Sequence, residues 1–262
     1  VVLAFAFFWP ITHLLSRSFL IPELSLQNYE RLAGDALYWR IFGRTFWIAF
    51  WCCVLSLVLG YPVAYAMARL PGWRAGVVAV CVLIPLWTSV LVRSYAWVFL
   101  LQRQGVVNSV LLDVGIVDAP LRMLYTEGAV LMAMTHVLLP FMILPIYATL
   151  RGIPHELEHA ARNLGAGRLQ AFLRVTLPLS LPGVSTGVLF VFILALGFYI
   201  TPAMVGGPRT LMVGTLIAQQ VTDTLDWKFA GAISTVLLVL TMGAAVIFQR
   251  ALSVEKLSGH AN

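Results

Sequence analysis

The sequence predicts an all-α polytopic membrane protein with six transmembrane helices, and three observations carry that prediction. Of 262 residues, 60% are apolar and only 11% charged, too little polar surface for a water-soluble domain of this size. The mean hydropathy is positive. Nearly uncharged runs of roughly 17 to 25 residues recur along the chain, each long enough for a helix to cross a bilayer core.

The first run extends from Val1 to Leu15. It does not open on Met, and no basic segment or small-residue cleavage site precedes Ser16, so it is expected to be a span whose beginning is missing, not a cleaved signal peptide. Arg17 to Arg44 mixes Pro22, Asn28, Gly34 and Asp35 with Leu24, Leu26, Tyr29 and Leu32, the pattern of a folded connection with short helical pieces. Phe46 to Ala68 is the second span, closed by the turn Arg69-Leu70-Pro71-Gly72-Trp73. Val77 to Leu100 is the third and Gly128 to Leu150 the fourth. Leu179 to Ile200 and Phe229 to Phe248 complete the set. Gln102 to Glu127 and Pro202 to Trp227 are the longer loops on one side, and Arg151 to Pro178 is the largest insert on the other. The whole of 1–262 reads as one membrane domain.

Charge sets the expected orientation. Alternating spans place Arg69, Arg74, Arg151, Arg162, Arg168, Arg174, Arg250 and Lys256 on one side with only Glu156, Glu158 and Glu255, a net charge of +5. The opposite side has eight basic residues balanced by eight acidic ones. The positively charged side is expected to be cytoplasmic, with both termini there. Counted as Lys and Arg alone the sides tie at eight, but the inner charges occupy less loop sequence.

Several function classes are excluded. The basic residues are split between two faces and form no stripe, which argues against a nucleic-acid partner. Cys52, Cys53 and Cys81 all fall in apolar runs without metal or disulfide spacing and read as packing residues. His13, His136, His155, His159 and His260 form no metal motif, and no Gly-rich phosphate loop ending in Gly-Lys-Ser/Thr is present. The spans carry no acids for enzymatic chemistry. A passive structural membrane subunit remains as an alternative class.

The insert predicts two short helices. Pro154 suits a first turn, Glu156 and Glu158 favour a helix start, and Leu157, Ala160, Ala161 and Leu164 share a face. Gly165-Ala166-Gly167 breaks that pattern, and Leu169, Phe172, Leu173 and Thr176 form a second apolar face expected to end at Leu177-Pro178 and Pro182-Gly183. Such a pair either rests on lipid headgroups or fills a groove on a cytosolic partner.

These residues also carry a family resemblance. His159-Ala160-Ala161, three residues, Gly165, nine residues, then Val175-Thr176-Leu177-Pro178 resembles the Glu-Ala-Ala coupling loop of inner-membrane permeases in ATP-binding-cassette importers. Leu59-Gly60-Tyr61-Pro62, Pro85-Leu86-Trp87-Thr88-Ser89, Arg93-Ser94-Tyr95-Ala96-Trp97 and Leu196 to Pro202 followed by Gly206-Gly207-Pro208 are similar to the first permease of the spermidine/putrescine importer family over nearly the whole chain. The resemblance implies a type I importer permease fold in the bacterial inner membrane. It implies a second homologous permease, two cytosolic ATPases and a periplasmic solute-binding protein as partners. No cofactor is bound by this chain, ATP and Mg2+ being held by the ATPases. Residues 151–178 then form the cytoplasmic coupling loop, with His159, Ala160, Ala161, Gly165, Leu177 and Pro178 at the ATPase contact. His159 stands where the family pattern has Glu, and the neighbouring Glu158 points about 100° away on a helix.

The remaining candidates follow from the same resemblance and from side-chain chemistry. The cargo is expected to be spermidine, putrescine or a related cation, with an amino-acid-like or phosphonate-like solute as the alternative. Trp87, Tyr95, Trp97, Phe198 and Tyr199 offer aromatic faces to an ammonium group, or serve as packing and interfacial anchors. Arg93, inside a span, either pairs structurally or belongs to a gate. Pro85, Pro140 and Pro145 either bend their helices or are packed without consequence. Pro202, Gly206, Gly207 and Pro208, with the Asp113 to Glu127 region, are candidates for a receptor-facing surface or an ordinary connection.

Overall fold

A computed structural model describes residues 26–258 without interruption, together with Trp9, Thr12, Ser16, Leu20, Ile21, Glu23 and Leu24. The expected first span, Val1 to Leu15, falls outside the described residues except for Trp9 and Thr12. Among the described residues four helices are long and apolar enough to cross a membrane, or five if one bent pair counts as a span. The sequence expectation was six.

A two-residue antiparallel pairing not anticipated from sequence, β1 (Leu20–Ile21) with β2 (Glu23–Leu24), leads into α1 (Gln27–Gly34). Asp35 separates α1 from α2 (Ala36–Arg69) and caps the latter, its side chain accepting from the Leu37 amide at 2.7 Å. The connection is therefore helical, as its composition indicated, and α2 begins ten residues before the apolar run that announced it.

The third expected span does not run straight. Its residues form α3 (Gly72–Trp87) and α4 (Val90–Leu101), and the axis turns by 99° at the break. Three local effects converge there. Pro85 lacks the amide proton that a helix would use, and the Thr88 hydroxyl donates to the Pro85 carbonyl at 2.9 Å. Ser89 caps the next helix by accepting from the Leu91 amide at 3.3 Å. Pro140 and Pro145, by contrast, sit within the uninterrupted α6 (Glu127–Arg151), which follows α5 (Val106–Asp113).

α6 is the centre of the bundle. Of its most apolar window 61% is buried, against 22–33% for the other three long helices. Met134, Leu138, Met142 and Ile146 recur every four residues along it and are all fully enclosed, packing with Ile48 and Cys52 of α2. The remaining elements are α7 (His155–Asn163), α8 (Arg168–Ala171), α9 (Leu177–Gly197), α10 (Ile200–Val205), α11 (Val213–Thr222) and α12 (Trp227–Ser258). α9 crosses α6 with almost no gap. A Cβ placed on Gly183 would lie 2.7 Å from the Pro145 carbonyl oxygen, and one on Gly187 would lie 2.9 Å from the Met142 sulfur, so two glycines four apart let the backbones meet. Gly60 of α2 faces Met142 and Ile143 from the other side, whereas Gly197 faces open space.

Two ion pairs fasten one end of the bundle. Arg44 of α2 meets Glu127 of α6 at 3.0 Å. Arg31 of α1 meets Asp226 at 3.2 Å and lies 4.1 Å over the Phe229 ring, while Asp226 accepts from the Phe229 amide, tying α1 to the start of α12. Cys52 and Cys53 are buried as expected, but Cys81 is exposed, because α3 is packed against the bundle along little of its surface and only Val82 is buried.

Candidate functional site

At the Arg151 end of the bundle, the insert forms one short helix and not two. α7 starts directly after Pro154 and stops at Gly165, whose φ of +94° lies in the left-handed region that favours glycine. From Arg168 the chain runs as a single 30-residue helix to Gly197, so the expected end at Leu177-Pro178 and Pro182-Gly183 is overturned. The physical reason is a π-helical turn at Phe172–Thr176, in which the Leu177 amide bonds the Phe172 carbonyl five residues back. That wider turn lies directly before Pro178, giving room to a residue whose ring and missing amide proton a regular α-helical interior would not accommodate.

The face carrying the candidate coupling residues is open. His159, Ala160, Gly165 and Pro178 are exposed, Ala161 and Leu177 partly so. Around them Leu164 is 91% exposed and Leu169 71%, a degree of apolar exposure that calls for lipid or a partner surface. Glu158 is turned the other way. Its carboxylate meets the Arg69 guanidinium at 2.8 Å, with both side chains largely shielded, and Arg69 also lies 5.5 Å over the Tyr65 ring. Phe172 of the π turn packs edge-on against Tyr61 and Tyr65, and the Tyr61 hydroxyl shares a hydrogen bond of 2.8 Å with Ser180. α7 is thereby linked through α2 to α9. No spacing rule pairs Arg69 with Glu158, since they lie in separate segments; the only sequence signal was that each is charged beside an apolar run.

The pathway candidates divide. Arg93, Tyr95 and Trp97 lie on α4, which packs on α10 and is locked to it by a buried Ser94 to Thr201 hydroxyl pair of 2.9 Å, whereas Phe198, just before α10, packs against the main core and Trp97 against a separate cluster around Leu101 and Val205. Trp87 stands apart at the α3 to α4 break, 86% exposed. The Trp97 indole donates to His136 Nδ1 at 3.3 Å, a partnership that sequence reading missed. Arg93 finds no acid: its Nε and Nη1 are enclosed and make no hydrogen bond among the described residues. Among the described residues Arg93 therefore has no acidic partner.

At the Glu127 end, Pro202, Gly206, Gly207 and Pro208 line a cavity of about 410 Å³ with Tyr125, and Gly207 and Pro208 also line a neighbouring cavity of about 900 Å³. The larger one is walled by Arg44, Arg103, Arg122, Glu127 and Arg209. These walls are built firmly. The Tyr125 amide donates to the Val205 carbonyl at 3.0 Å, joining the two loops, and Tyr125 holds a φ of +65°. A Cβ on Gly206 would meet the Pro202 oxygen at 2.5 Å. Asn108, buried, donates to the Leu121 carbonyl and accepts from the Leu121 amide, closing the long loop on itself.

This architecture has known counterparts. It is similar to a bacterial ABC transporter involved in the import of the acidic polysaccharide alginate, with a TM-score of 0.73 at 20% identity, covering 95% of this chain and 92% of that one. In sequence it is 35% identical over 88% of its length to the spermidine/putrescine transport system permease protein PotB of Escherichia coli strain K12, covering 83% of that protein. It is 34% identical over 87% of its length to PotB of Haemophilus influenzae, covering 79%. Residues 56–258 match the model of binding-protein-dependent transport system inner membrane components. Membrane-length helices and these matches agree that the chain belongs to the binding-protein-dependent inner-membrane permease family of ABC importers, and is a transport subunit and not an enzyme.

Proposed function

We propose that this permease subunit takes part in ATP-driven import of spermidine, putrescine or a related cationic solute. The observation that carries the cargo is the 35% identity to PotB across 88% of the chain. Aromatic side chains near α4 and α10, notably Tyr95 and Tyr199, which are 64% and 49% exposed, offer π faces suited to ammonium groups. Arg93 repels such a cargo and is better suited to a gate than to a binding site.

In this reading 1–262 is one permease domain of six spans, counting the apolar run at its start and the bent α3 to α4 pair, with both termini cytoplasmic. It pairs with a second homologous permease, two ATPases dock at the 151–178 loops, and a periplasmic binding protein delivers the solute. His159, Ala160, Ala161, Gly165, Leu177 and Pro178 form the ATPase-facing surface. Supporting this are the exposed leucines beside them and the net charge of +5 on that side. Pro202, Gly206, Gly207 and Pro208 belong to the receptor-facing side.

Calorimetry on the cognate binding protein tests the cargo: polyamine binding is expected, and binding of another solute class with none of any polyamine overturns it. A second reading, another small solute on the same architecture, is favoured by 30% identity over 90% of the chain to a probable sulfate transport permease of Prototheca wickerhamii. Reconstitution with single components omitted tests the mechanism. Concentrative uptake by this chain without ATPases or ATP would sink it.

A further inference from the structure

The apolar runs Phe46 to Ala68, Val77 to Leu100, Gly128 to Leu150, Leu179 to Ile200 and Phe229 to Phe248 contain a single Lys or Arg, which is Arg93, and no Asp or Glu. Two of its guanidinium nitrogens, Nε and Nη1, are enclosed and make no hydrogen bond among the described residues. Trp97, one turn further along the same face of α4, donates to His136, which lies about 14 Å along α6 from Glu127. That face of α4 is therefore at hydrocarbon depth, where a guanidinium without a counter-ion is costly. Nor can the helix swing away, since the buried Ser94 to Thr201 hydroxyl pair fixes α4 to α10.

The missing charge has to come from outside the chain. Arg93 is only part-buried and can be reached from there, and around it Val92, Tyr95, Ala96 and Phe99 give α4 an exposed apolar face. A cation ringed by apolar side chains is complementary to a helix carrying one carboxylate among apolar residues, and the guanidinium fork matches a carboxylate in shape as well as charge. A lipid phosphate is disfavoured by depth, because headgroups lie outside the hydrocarbon layer. A cationic solute only adds charge of the same sign. A second copy of this chain brings another Arg93 and no acid in these runs. Resting on the importer reading above, we propose that Arg93 forms an ion pair within the membrane with an Asp or Glu of the second permease subunit, and that this pair selects the unlike subunit over a second copy of this chain.

The test purifies the full complex through a tag on this chain and measures how much second permease it retains. Arg93→Met is expected to lower that retention about tenfold and to admit a differently tagged second copy of this chain, which the wild type excludes. Arg93→Asp combined with Arg in place of one Asp or Glu in the spans of the second permease, each tried in turn, should restore retention. Full retention in Arg93→Met overturns the proposal, and so does a loss that no charge swap restores. Wild-type retention that tracks the phosphatidylglycerol content of nanodiscs, or that falls when gluconate replaces chloride, also overturns it by identifying a headgroup or a free halide as the counter-ion. A wild-type complex that already incorporates two copies of this chain overturns the selection. In each of these results a wild type that retains the second permease leaves the importer reading standing, whereas one that retains none sinks both.

Discussion

Glu158 of α7 and Arg69 at the end of α2 form a shielded ion pair of 2.8 Å. It places the acid next to His159 toward the bundle while His159 itself faces outward. The two neighbouring side chains therefore meet different surroundings, Glu158 an ion pair with α2 and His159 an open surface.

Breaking that pair should loosen α7 from α2. Glu158→Gln and Arg69→Gln are each expected to lower receptor-stimulated ATP hydrolysis several-fold, with a coupling of about 1 kcal/mol in a double-mutant cycle. Additive effects in that cycle, measured on complexes of normal assembly, refute the link.

Gly165 predicts a graded response. Its φ of +94° disfavours any side chain, so Gly165→Ala should cost on the order of 1 kcal/mol of local stability, while Gly165→Trp should also block the ATPase-facing surface. Uptake is expected to fall modestly in the first and to vanish in the second. A Gly165→Trp complex that assembles and transports normally removes this loop from the coupling surface.

The α6 to α9 crossing predicts a stability defect. Gly187→Val places a side chain where Met142 already sits, and overpacking of this kind costs about 1–3 kcal/mol. Thermal unfolding in detergent should show a lowered midpoint. Gly197→Ala, with nothing within reach of its Cβ, serves as the contrast and should be close to neutral.

The Ser94 and Thr201 hydroxyls are fully buried and bonded to each other. Ser94→Ala alone should cost about 1–3 kcal/mol by stranding its partner, whereas adding Thr201→Val should recover much of it. Denaturant unfolding of the three variants checks this, and equal losses in single and double variants would falsify the proposed lock.

Orientation is open to labelling. Arg168→Cys should react with a membrane-impermeant thiol reagent only from the cytoplasmic side, and Arg122→Cys only from the other. Reversed accessibility inverts the topology.

The membrane class and the approximate positions of the long helices were legible because apolar length leaves few alternatives to a span in lipid. Phe46 to Ala68 and Gly128 to Leu150 sit inside α2 and α6 for that reason. The break between α3 and α4 was not legible from hydropathy, since residues 77–100 stay apolar through it; the sequence Pro85, Thr88, Ser89 held the signal, as a proline followed by two hydroxyl caps. The π turn escaped for the opposite reason, that Pro178 and Pro182 look like helix stops until one extra residue in the preceding turn makes room for them. Of the site, the start of α7 after Pro154 and its stop at Gly165 followed from local pattern. The arginine cavity and the Arg69 to Glu158 pair did not, because they join segments far apart in sequence.

Continuity from Arg168 to Gly197 makes this stretch a strut about 45 Å long with its foot beside α7 and its head beside α10. Were it two pieces jointed at Leu177, a push at the foot would be absorbed by the joint. As one rod pressed near its middle by Gly183 and Gly187 against α6, it would transmit a tilt: about 5° about that crossing would move each end by roughly 2 Å in opposite directions.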